Sequence, residues 1–462
     1  MLKLNLEKQE KCINISDVYL KSFEKPIVFF KIHKDDARKI LLTFIIFDAQ
    51  KGKLTYLFSY NQENRSILES AQDNQKYQLR LVPHSTIEIR KDIDFFTFMQ
   101  EEQVFMYVNY RDNILKIYTM EDVIGNDIKF KIISSTFYKD ANDSNYFYIG
   151  ASDIDNMFYI YRISLDLQHV ELIDSFPGRN IPPHVVRSYK DCIMLSHEFN
   201  ESNYYLQNKK NKKITSFEMG NILVKNSIKI KMANPQLKEN ELKMKIYEFI
   251  KKEYNIKCVP GAIILFDNQT KERTTYKTSG GSPAHFEIDE KEDMIYVSSH
   301  NFFNRLDSMS MFEPAVFDKF HYINNKLEWR NSFSYPKGYR YASHRVFYND
   351  GKPYICTFGQ PNRLIIIDAT TMKLHYYVDI GQDELSSQED IENYLNSRDS
   401  GGEFVALEVS QNGENIIFLD NQYLYIFNFT QKSVIHKFDY SNYEKENWDD
   451  FILRTLHIMF LQ

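Results

Sequence analysis

The sequence predicts an all-β fold: a seven-bladed β-propeller with a helical insertion covering one face. Two observations predict it. A strand–turn–strand–turn–strand unit recurs along the chain, and four such short strands make one propeller blade. The 462 residues also carry 35 Phe and 32 Tyr among 15% aromatics, residue types that favour pleated, half-buried surfaces. With 43% hydrophobic residues, the chain can fill a large core.

The clearest unit is RVFYNDGKPYICTFGQPNRLIIIDATTMKLHYYVDI, residues 345–380. Asn349-Asp350-Gly351 predicts a tight turn, because glycine accepts positive φ at little cost. PYICTF, RLIIIDA and KLHYYVDI follow as strands separated by Gly359-Gln360-Pro361-Asn362 and Thr370-Thr371. Residues 403–438 form another blade. HFEIDEKEDMIYVSSHNF opens one at 285, HVVRSYKDCIMLSHEF opens one at 184, and 145–176 belong to an earlier one. Residues 94–120 and 27–60 supply two more, which brings the count to seven. The starts at 285, 344 and 403 are evenly spaced. The gap from 184 to 285 is longer and predicts an insertion, with a helix at about 234–256. There Leu242, Ile246, Phe249 and Ile250 form an apolar stripe behind Asn234-Pro235. A second helix is expected at 387–396, capped by Ser387. No linker interrupts the chain, so one domain is expected over 1–462.

The formal charge of −6 argues against a nucleic-acid surface, which needs a basic field. The four cysteines, Cys12, Cys192, Cys258 and Cys356, form no CxxC pair. This argues against a disulfide framework and a zinc–thiolate site, and Cys192 and Cys356 read as core residues. No apolar run has the length of a membrane span, and MLKLNLEKQEK lacks a signal-peptide core. A cytoplasmic protein is expected. The sequence holds no G-x-S-x-G elbow, P-loop or dinucleotide fingerprint. DANDSN at 140–145 reads as a hydrated turn.

Twelve histidines are present. His184, His285 and His344 each open a blade's first strand, and Glu403 takes the same place in GGEFVAL. Innermost strands converge on a propeller's axis. Imidazoles converging there beside a carboxylate make a metal-site constellation. The competing reading is that a turn-to-strand junction favours any polar residue and histidine fills it.

At these residues the chain resembles a family. ELIDSFPGRNIPPHVVRSYKDCIMLSHEF, SPAHFEIDE, KGYRYASHRVF and GGEFVAL resemble segments of the carotenoid cleavage oxygenases, over roughly residues 130 to 462. The resemblance implies a propeller holding one non-haem Fe(II) by four histidines that glutamates orient. It also implies O2-dependent cleavage of a conjugated C=C bond in a small apolar or aromatic substrate. Carried onto this sequence, His184, His285 and His457 are ligands and Glu403 is a supporting carboxylate. The pattern departs at the first ligand: SSTFYKDANDSN places Thr136 where histidine is expected. His344 or Asp140 would then substitute. Phe302, Phe303 and the MSMF run at 309–312 are candidates for a tunnel entrance or a peripheral membrane contact, or for a loop packed on the propeller. Two alternatives stand beside the oxygenase: a metal enzyme of changed, non-cleaving chemistry, and a metal-free propeller that binds a protein partner.

Overall fold

The computed structural model describes residues 2–12, 27–34, 40–48, 52–61, 86–90, 94–99, 104–125, 130–133, 136–153, 155, 157–177, 185–197, 204–207, 216–237, 242, 245, 255–258, 261–280, 282–300, 316–334, 344–359, 363–380, 407–419, 423–439, 452–454 and 458–460. Seven antiparallel sheets follow one another as the blades of a β-propeller. Blade 2 comprises Thr86–Arg90, Asp94–Met99, Val104–Asn109 and Ile114–Thr119. Blade 3 comprises Phe130–Ile133, Tyr146–Asp153, Met157–Ser164 and Val170–Pro177. Blade 4 comprises Val185–Tyr189, Cys192–His197, Ala262–Asp267 and Arg273–Lys277. Blade 5 comprises Ser282–Asp289, Met294–His300, Val316–Ile323 and Lys326–Ser334. Blade 6 comprises His344–Asn349, Lys352–Gly359, Arg363–Asp368 and Lys373–Asp379. Blade 7 comprises Leu407–Val409, Asn415–Leu419, Tyr423–Asn428 and Ser433–Asp439.

Blade 1 closes the ring with strands from both ends of the chain. Ile27–Lys34, Ile40–Asp48 and Lys53–Asn61 come from the N-terminal part, and Ile452–Arg454 and Ile458–Phe460 pair with Ile27–Lys34 as its inner strands. The N-terminal segment adds an outermost strand to two blades. Leu2–Asn5 lines the outer edge of blade 2, and Glu7–Cys12 lines that of blade 1. Covering an outer strand in this way pairs backbone groups that would otherwise template association.

The core lies between blades rather than within one. Alternate residues of a strand face opposite sides, so each sheet packs against both neighbours. Blades 6 and 7 share Phe347, Cys356, Phe358, Leu407, Phe418 and Phe427. Blades 5 and 6 share Tyr296, Phe317, Ile355, Ile365 and Ile367. Blades 4 and 5 share Val185, Cys192, Phe286, Val297 and Phe320. Cys192 and Cys356 are therefore core residues, and burial pushes both thiols up from their ordinary pKa.

Repeated turn chemistry sets the register. Between the third and fourth strands of blades 4 and 6, Asp267 and Asp368 accept hydrogen bonds from the backbone N–H groups of Gln269 and Thr270, and of Thr370 and Thr371. In blade 7, Asn428 does the same for Gln431. Four residues after each, Lys271, Met372 and Lys432 take left-handed φ of 61°, 52° and 54°. In blade 6, Asp350 and Gly351 turn the chain at φ of 47° and 74°, as the sequence predicts.

The insertion sits between the second and third strands of blade 4, residues 198–261. It holds the hairpin of Tyr204–Gln207 with Asn255–Cys258 and an 18-residue helix, Ser216–Ala233. That helix precedes the one expected at 234–256. Within the expected span, Leu242 is helical and buried, and Asn255–Cys258 is a strand. The helix expected at 387–396 lies outside the described residues. Among the described residues, no helix is long and apolar enough to cross a membrane.

Candidate functional site

The inner strands of blades 4 to 7 each carry a charged residue at the inner edge, and the signs alternate around the ring. Arg187 comes from Val185–Tyr189, Glu287 from Ser282–Asp289, Arg345 from His344–Asn349 and Glu408 from Leu407–Val409. Arg345 forks between two blades. Its Nε and NH2 donate to the two oxygens of Glu408, the former at 2.9 Å, and its NH1 donates to Glu287 Oε1 at 2.8 Å and to the His344 carbonyl at 2.9 Å. Glu287 Oε2 then accepts from Arg187 NH1 at 3.3 Å. The result is one ladder, Arg187–Glu287–Arg345–Glu408, across four consecutive blades.

The ladder is largely withdrawn from water: the side chains of Glu408, Glu287 and Arg187 are 6%, 16% and 17% exposed, and that of Arg345 is 27% exposed. Burial works against the charge of Arg345, yet the fields of Glu408 and Glu287 hold its pKa well above the ordinary value. Bidentate, charge-assisted geometry of this kind offsets desolvation best. Tyr138 completes the cluster. It follows Thr136–Phe137, a short strand that runs parallel to the inner strand of blade 4. The Arg187 guanidinium lies 4.6 Å from the centre of its ring. Burial, then the field of Glu287, pushes the Tyr138 phenol up to about 12.

Of the residues singled out in sequence, His184, Glu403 and His457 lie outside the described residues. Thr136 is paired by backbone register with Val185, the residue after His184. His285 is half-buried on the inner strand of blade 5, two residues before Glu287 and opposite Ser298, whose hydroxyl donates to the His285 carbonyl at 3.3 Å. His344 opens the inner strand of blade 6, but its side chain turns into the interface with blade 5. There Nε2 lies 3.2 Å from the Tyr296 carbonyl and the ring meets Phe317 edge-on at 5.0 Å. Nδ1 is buried without a hydrogen-bond partner. Burial, only partly opposed by Glu287 and the Tyr296 carbonyl, lowers its pKa to about 4, so it is neutral at pH 7. Asp140 is held within blade 3 by Arg162 at 2.8 Å, by Tyr148 and by the backbone of Asn142. Among the described residues, no group of three or more His, Cys, Asp or Glu is placed to hold a metal ion.

The ladder was not anticipated from the sequence, although a signal for it exists. HVVRSY, HFEID, HRVFY and ALEVS each place the ladder's charge, Arg187, Glu287, Arg345 or Glu408, among apolar residues of an inner strand. In blades 4 to 6 this charge follows the strand-opening histidine by one to three residues.

The fold and this inner edge define the class: a seven-bladed β-propeller whose inner strands are cross-linked by ion pairs. No family model matches the chain, and no curated protein is similar to it. Solved structures with a similar fold include hydrazine synthase of Kuenenia stuttgartiensis, at 8% identity and TM-score 0.47, over 79% of this chain and 90% of that one. The WD40 propeller domain of Doa1 aligns at 8% identity and TM-score 0.43, over 79% and 84%.

Proposed function

We propose that this propeller acts by binding a partner, with the inner edge of blades 4 to 7 serving as a strut rather than a reaction centre. One observation carries the reading. Arg187, Glu287, Arg345 and Glu408 satisfy one another, and the nearby His344 is directed away from them into an apolar interface. Drawing a metal or substrate into contact with these carboxylates would leave a largely buried guanidinium short of its partners, a costly change. Recognition then falls to the outer surface and the insertion of blade 4.

A second reading keeps the oxygenase. Its support is the juxtaposition of Thr136 with the start of blade 4's inner strand, and the position of His285 on the inner strand of blade 5. On that reading His184, His285 and His457 hold Fe(II) and Glu403 orients one of them. The metal would supply O2 activation for cleavage of an apolar or aromatic polyene.

Elemental analysis separates the two. Protein purified anaerobically without a His-tag is loaded with Fe(II), desalted and compared with His285→Ala. The binding reading expects the same sub-stoichiometric iron in both. Near-stoichiometric iron that disappears in the variant overturns it in favour of the oxygenase.

A further inference from the structure

The helix Ser216–Ala233 has a half-buried side and an exposed one. Asn226, Ser227 and Ile230 are half-buried on one side. On the other, Val224, Ile228 and Met232 are 61%, 54% and 78% exposed. Their four-residue spacing confines them to roughly 80° of the helix circumference at 3.6 residues per turn. Apolar residues gathered on one exposed stripe call for a covering surface, whereas scattered ones do not.

The charges beside the stripe say what covers it. Lys225 and Lys229 follow one flank and Lys231 the other, and all three are exposed. None of the helix's described side chains is acidic, although the chain as a whole carries a formal charge of −6. The insertion thus presents a positive, apolar strip on an otherwise anionic molecule. Val, Ile and Met offer no aromatic anchor of the kind that fills a protein pocket. Lysines on both flanks of a narrow stripe can lay their stems along an apolar layer while their ammonium groups reach phosphate.

We propose that this face of Ser216–Ala233 docks in the plane of an anionic phospholipid surface. Val224, Ile228 and Met232 enter the headgroup–acyl boundary, and Lys225, Lys229 and Lys231 contact lipid phosphates. This names the partner for the binding reading above and rests on it.

The test is co-sedimentation of the full-length protein with phosphatidylcholine vesicles, with and without about a third phosphatidylserine. Binding is expected to the anionic vesicles only, and to weaken as salt rises. The triple variant K225Q/K229Q/K231Q should lose on the order of a hundredfold in partitioning, because each lysine near such a surface contributes about fivefold. I228S/M232S should also release the protein, with thermal unfolding unchanged in both variants. Absence of vesicle binding, equal binding to neutral vesicles, or full binding by the lysine variant overturns the proposal. Self-association that I228S/M232S abolishes, or capture of an acidic helical-groove protein in place of vesicles, also overturns it, by assigning the stripe to a protein. The iron measurement is independent. Failure here with no bound iron removes the lipid partner alone, whereas His285-dependent iron removes the binding reading itself.

Discussion

Blades 6 and 7 and the insertion of blade 4 use similar residues in opposite ways. In the two blades Leu364, Ile366, Ile416 and Phe418 are fully buried between sheets, and the charges of Arg345 and Glu408 are paired at the inner edge. In the insertion Val224, Ile228 and Met232 stand out from the surface with lysines beside them. The ladder answers its charges within the molecule, and the apolar groups the blades leave exposed, among them Trp329, Leu374 and Tyr377, lie on their fourth strands. On the insertion helix an apolar stripe and lysines face outward together.

Cutting the ladder has the largest expected effect. Glu408→Ala leaves the Arg345 guanidinium with Glu287 as its remaining carboxylate and should cost about 4 kcal/mol, read as a lower urea midpoint. Next comes pH. His344 is neutral in the fold down to about pH 4, against 6.5 in the unfolded chain. Between those values the unfolded state binds more protons. The stability this group contributes is therefore complete above pH 6.5 and lost as pH falls towards 4, by about 3 kcal/mol in all. His344→Leu should remove that pH dependence, measured as unfolding midpoints across the window. Gly413→Ala follows at roughly 2 kcal/mol. Its φ is +70°, and a Cβ there would lie 1.9 Å from the Tyr348 carbonyl oxygen. Ile228→Ser is the smallest, within about 0.5 kcal/mol. A large loss of thermal stability there would show that the stripe already packs on the protein.

Much of the fold could be read from the sequence because its signals are local. Asn349-Asp350-Gly351 turns where expected, and the seven strand groups fall in the predicted blades. The C-terminal strands that complete blade 1 depend on contacts across the whole chain, which no local pattern encodes. The helix Ser216–Ala233 gives no clear periodic signal, because Asn226 and Ser227 share its half-buried side with Ile230. His344 shows why a strand-start position does not give a side chain's surroundings. Strand starts locate a residue along the chain, but neighbouring residues face opposite sides of a sheet. So Arg345 reaches Glu287 and Glu408, while His344 meets Phe317.

The claim that the inner edge is a strut is tested most directly by a double-mutant cycle of Arg345→Met and Glu408→Leu, followed by urea unfolding. Each single variant should be strongly destabilised by the charge it strands. The double variant should recover much of the loss, giving a coupling of about 2 kcal/mol or more. Strictly additive effects would contradict the account, because they would mean that Arg345 and Glu408 do not hold blades 6 and 7 together.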